Sequence, residues 1–74
     1  NTTQTIELSS VAEKITVQSS GTLAGTIEVS VNGIDFAAAG AFVANTMLTY
    51  STNLIRVVRV TRTGGIGRLS IVAR

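Results

Sequence analysis

Thr26-Ile27-Glu28-Val29-Ser30-Val31-Asn32-Gly33 is the stretch that decides the fold class. Ile27, Val29 and Val31 recur at every second residue, with Glu28 and Ser30 between them, which is the period of a half-buried strand. The Asn32-Gly33 pair that follows is the strongest short hairpin signal, because both residue types accept the positive φ of a tight turn. The strand is therefore expected to turn straight back into Ile34-Asp35-Phe36-Ala37-Ala38, with Ile34 and Phe36 inward. Toward the N-terminus, Thr5-Ile6-Glu7-Leu8 and Lys14-Ile15-Thr16-Val17-Gln18 show the same alternation. Gly21 and Gly25 mark turns or bends on either side of Thr22-Leu23-Ala24. Thr, Val and Ile supply twenty-seven of the 74 residues, a composition that suits a pleated sheet surface.

Residues 37–53 admit two readings. Their alanines suit a short helix, but Gly40 interrupts them and the flanks are strand-like, so strand or extended loop is favoured. Met47, Leu48 and Tyr50 then form a further short strand or edge, closed by Ser51-Thr52-Asn53. The C-terminal part reads as a β-hairpin: Leu54 to Arg62, a turn at Thr63-Gly64-Gly65-Ile66-Gly67, and a return from Arg68 to Arg74. Its first strand has a phase conflict, since Ile55 and Val57 share one parity and Val58 and Val60 the other. Either the strand is covered on both faces, or a bulge near Val57-Val58 shifts the register and sets Arg56 and Arg59 on one side. Val72, on the polar parity of the returning strand, suggests a second buried face there. About seven short strands at this spacing predict an all-β fold, a small antiparallel β-sandwich or barrel, in a single domain over residues 1–74.

Composition narrows the function classes. A chain this short buries only roughly 60–65% of the surface exposed when unfolded, and such domains usually need a staple. With no Cys and no His, disulfides and the usual zinc ligand sets are excluded. Only 14% of the residues are charged and the mean hydropathy is +0.42. So little charge predicts that part of the apolar surface faces another protein chain. No segment approaches the roughly 20 apolar residues of a membrane-spanning helix, and no signal-peptide pattern opens the chain. Asn1 in place of Met fits a processed product, a trimmed chain or part of a longer protein. Asn1-Thr2-Thr3 matches a glycosylation sequon only formally.

The residues argue against catalysis. The commonest general base and the best nucleophile are missing. Glu7 and Glu28 sit on outward parities, Glu13 and Asp35 lie near turns, and no serine has a base beside it. Thr63 to Gly67 lacks the Gly-Lys-Ser/Thr and the following helix of a phosphate loop, so its glycines read as turn residues. No cofactor and no metal is expected.

Charge is divided along the chain. Residues 1–35 carry −3, and residues 36–74 carry +5 from Arg56, Arg59, Arg62, Arg68 and Arg74. Arginine's planar fork suits carboxylates, so pairing with Glu7, Glu13, Glu28 and Asp35, within the chain or across a subunit boundary, is the favoured reading. A nucleic-acid backbone is a lesser candidate, because no aromatic residue lies on the basic segment to stack on bases. The candidate interface residues are Arg56, Arg59, Arg62, Arg68 and Val72, with Phe42 and its neighbour Val43.

Ser20 to Phe36 resembles strand–turn–strand segments of small β modules in tailed-bacteriophage virions, and Arg56 to Gly67 is similar to a second hairpin of such proteins. The resemblance covers residues 20–36 and 54–73 and rests mainly on β-forming residues and turn glycines. It implies a structural part of a virion: a capsid decoration (cement) protein, or a tail or fibre module, often trimeric, whose partners are its own copies and capsid or tail proteins. It carries over no functional residue.

Overall fold

A computed structural model describes residues 2–74; the sequon's Asn1 lies outside the described residues. The described residues are all strand and loop. Its five strands are β1 (Thr2–Ser19), β2 (Ala24–Ser30), β3 (Ala37–Phe42), β4 (Met47–Gly64) and β5 (Leu69–Ala73). They form one antiparallel sheet in the order β3-β2-β4-β1-β5. The all-β antiparallel reading holds, but the expected count of about seven short strands becomes five, because β1 and β4 run for 18 residues each. Residues 37–42 are strand, as favoured over the helix.

Two strands of that length dictate the architecture. Eighteen straight residues would span about 60 Å at about 3.3 Å per residue, whereas the longest dimension of the molecule is 30 Å. Both strands therefore bend, and they do so together. The β1–β4 register is regular from Thr2↔Arg62 to Glu7↔Val57, and again from Lys14↔Ser51 to Gln18↔Met47. Between these runs only Ala12↔Ile55 is paired, with surplus residues first on β1 (8–11) and then on β4 (52–54). Such surplus residues leave the ladder and bend the strand. The sheet folds over on itself, and its two arms share one core. Ile15 and Val17 of the second arm of β1 pack with Ile27, Phe42, Ile55, Val58 and Val60.

The phase conflict in β4 resolves with a register irregularity beside Val57-Val58, close to the expected place, and not between those two residues. Both ladders are continuous there, as Ile6↔Val58 is followed by Glu7↔Val57 and Val29↔Val58 by Ser30↔Val57. The irregularity falls one step earlier, at Arg56, which lets Ile55 and Val58 both point inward. Val57 faces outward and is still buried, because the β2–β3 loop lies over it at Gly33. Covering on both faces is thus the outcome.

The expected C-terminal hairpin does not form. β4 and β5 are not partners: the second arm of β4 lies between β1 and β2, and β5 pairs with the second arm of β1. The glycine-rich link carries the chain from one arm to the other alongside the β1–β2 connection. Thr22 N donates to Ile66 O (2.9 Å), Ile66 N to Thr22 Oγ1 (3.0 Å), and Ser20 N to Arg68 O (2.9 Å). Gly65 (φ 79°) presses against Thr22 O, where any Cβ would collide. These glycines serve the close crossing of two chains, not a tight turn.

The Asn32-Gly33 turn is also wider than expected. Ser30 Oγ accepts from Gly33 N (2.9 Å), and Asn32 Oδ1 accepts from Ile34 N (2.8 Å) and Asp35 N (2.9 Å). Side-chain bonds of this kind compete with ladder pairing. The loop therefore runs over residues 31–36, leaving Val31 (64%) and Ile34 (80%) exposed rather than inward.

Phe42 belongs to the core, 1% exposed, and is not an interface residue. Its ring lies over Gly25, its ladder partner, in space that a Cβ would occupy. Phe42→Ala is expected to destabilise the fold by about 3–5 kcal/mol, the usual cost of emptying a buried aromatic site. Urea unfolding followed by circular dichroism would read this as a large fall in midpoint at unchanged slope.

Candidate interaction surfaces

The folded sheet has two outer faces, and the ladder partners define what each carries. On the β4–β1–β5 side, residues opposite one another share a face. This places Ser51, Lys14 and Arg74 in one row, Thr49, Thr16 and Val72 in the next, and Met47, Gln18 and Ser70 in a third. Arg68 follows opposite Ser20, and these two line a small hollow of about 200 Å³ with Gln18 and Ser70. Val72 (53%) and Met47 (63%) are exposed here, so the second buried face inferred from Val72 is not formed within the chain.

The other outer face carries Thr3, Thr61 and Thr26 in one row and Thr5, Arg59 and Glu28 in the next. Arg59 Nε donates to Glu28 Oε1 at 3.0 Å, and this is the one ion pair among the described residues. The guanidinium carbon also stands 3.9 Å from the centroid of the Phe36 ring, a cation–π contact that the β2–β3 loop makes possible. The fold thus brings an aromatic residue onto the basic strand from twenty-three positions away in sequence. The Arg59 hydrogen bond and positive charge, opposed by partial desolvation, hold Glu28 below the ordinary carboxylate value.

The arginines expected to act together are dispersed. Arg59 is half-buried and committed to Glu28. Arg56 lies exposed at the bend, Arg62 is half-buried opposite Thr2 and Gly25, and Arg68 is on the opposite outer face. With no bulge at Val57-Val58, the argument for Arg56 and Arg59 sharing one side is lost.

A feature not read from the sequence is a cleft of about 620 Å³ where β3 runs past the bend of β4. Val29, Val31, Phe36 and Ala37–Ala39 form one wall, Ser51–Ile55 the other, and Asp35 stands at the β3 entrance. Further along β3, the Tyr50 hydroxyl donates to Ala41 O and its ring occupies the space left by Gly40. The Thr52 hydroxyl is buried without a hydrogen-bond partner among the described residues. A run of exposed apolar residues around an unpaired strand edge is the signal that could have indicated the cleft. Val31 and Leu54 line the cleft in this way, but alternation assigned Val31 to the core.

No known protein-family description matches the chain, and no curated protein sequence matches it.

The depressed Glu28 value has a defined sign. A carboxylate stabilised in the folded state contributes stability above its unfolded pKa, and that contribution is lost as pH falls through the lower folded value. Glu28→Gln is therefore expected to lower the thermal midpoint at neutral pH. The gap from the parent should close as pH drops below the ordinary carboxylate range. Melting curves of the two proteins across acid pH would show this convergence.

Proposed function

We propose that this chain is a non-enzymatic structural subunit of a tailed-bacteriophage virion, a capsid decoration or cement protein that binds the capsid surface as an oligomer, with a trimer favoured. The folded sheet then serves as a small sandwich-like body that presents apolar loops and strand edges to its neighbours. The observation that supports this reading is exposure. Seven large hydrophobic side chains, including Val31, Ile34, Met47, Leu54 and Ile66, are more than half exposed on a chain of 74 residues. Apolar exposure gathered around edges and loops marks contact with other protein chains. The resemblance of residues 20–36 and 54–73 to virion modules supplies the setting.

A second reading is a tail or fibre module that grips a host surface, favoured by the cleft with its aromatic Phe36 beside Asp35, Ser51 and Asn53. Nucleic acid is a weaker partner, because Arg59 is neutralised by Glu28 and no aromatic residue stands beside Arg68 and Arg74, the two arginines that share the β5 face. No membrane role is proposed; among the described residues no helix is long and apolar enough to cross one.

Size-exclusion chromatography with light scattering is expected to give an oligomer, and co-sedimentation is expected to carry it down with assembled capsids of its phage. A stable monomer that stays in the supernatant would remove the cement reading. Retention by a glycan array, lost on Phe36→Ala, would favour the fibre reading instead.

A further inference from the structure

The strand order ends in β3 on one side and β5 on the other, each with an unpaired outer edge, and because the long strands bend, residues 2–7 of β1 and 47–51 of β4 are also paired on one side only. β3 is Ala37-Ala38-Ala39-Gly40-Ala41-Phe42, with none of the charges or prolines that normally blunt an edge. Beside it, residues 52–54 of β4 have left the ladder. The cleft lies between these two backbones, and its wall holds the unpartnered Thr52 hydroxyl.

The rest of the chain points to the occupant. β5 is five residues long and β3 six, so their edges match in length at about 16–20 Å. Arg68 and Arg74 flank β5, and residues 68–74 contain no acid, whereas the one ionisable residue of the cleft is Asp35. Every pairing in the sheet is antiparallel. Continued in that sense, β5 of a second copy would set Arg74 at the β3 end where Asp35 stands. The exposed Val31 and Leu54 on the rim and Val72 on β5 would be covered together.

We propose that β5 of one copy adds to the free edge of β3 in the next, along the cleft, so that the sheet continues from subunit to subunit. The contact is heterologous: each copy gives one edge and receives at the other, which generates a closed ring when the rotation between copies closes. This inference rests on the reading of the protein as an assembled subunit and names its interface.

Hydrogen exchange of the full chain, measured above and below the assembly concentration, tests it. Added protection is expected at amides of residues 37–39 and 69–73. Val72→Lys places a charge on the incoming edge at an exposed position, and is expected to weaken assembly by about tenfold or more while the circular dichroism spectrum is kept. Asp35→Arg and Arg74→Asp are each expected to weaken it by about threefold, and their combination to recover it, the scale of an exposed ion pair. An oligomer whose β3 and β5 amides exchange at monomer rates, or whose assembly ignores both Val72→Lys and the charge swap, overturns the edge pairing and leaves the subunit reading standing. A monomer that also ignores capsids removes both.

Discussion

The shared bend of β1 and β4 is the constraint on which the rest of this structure depends. Two strands of 18 residues fit a body 30 Å long only if both fold back, and the ladder between Glu7 and Lys14 gives way to allow it. Once that happens, each long strand serves two arms. The second arm of β4 is sandwiched by β1 and β2, the second arm of β1 by β4 and β5, and the apolar residues of both converge on one core. A chain with no disulfide or metal ligand set thereby obtains a core closed on several sides from a single sheet. The same bend pushes residues 52–54 out of pairing, so the cleft follows from the way the core is closed.

Much of the β character was legible in the residues, and the limits of that reading have physical causes. Alternation identified the inward faces at Ile15, Val17 and Ile27, which are all buried. It failed at Val31 and Ile34 because it is blind to the Ser30 and Asn32 side chains, which capture backbone amides and convert a tight turn into a wider loop. It also split β1 and β4 into shorter pieces, since a bulge disrupts the pattern just as a loop does. The C-terminal segments were correctly read as strands, but their partners were not. Glycine at positions 64, 65 and 67 signals unusual backbone geometry without saying whether the chain reverses or crosses over. Only pairing distant in sequence decides that.

The site was less legible than the fold. A run of five arginines invited a single basic surface, yet strand parity and the bend distribute Arg56, Arg59, Arg62 and Arg68 over different environments. One element of the expectation held locally: an arginine, Arg59, does pair with an acid of the first half, Glu28, within the chain. Phe42 illustrates the opposite error. An aromatic residue beside small ones looks available from sequence, but its ladder partner is Gly25, whose missing Cβ makes room for the ring inside.

The pairing of Thr2 with Arg62 has a consequence for the birth of the molecule. During synthesis residues 2–7 of β1 find their partners, residues 57–62 of β4, only fifty to sixty positions later, and β5 closes on residues made fifty to fifty-eight positions before it. At about 5–20 residues per second, the Thr-rich stretch over residues 2–7 waits several seconds with its edge uncovered. Long-range strand pairing of this sort also slows folding, because the loop entropy must be overcome before any contact compensates for it. Where many copies are made side by side, neighbouring nascent chains compete for that waiting strand. The polar threonines and serines lining β1 from Thr2 to Ser10 make such mispairing less adhesive, so this exposed first arm of β1 doubles as a safeguard during synthesis.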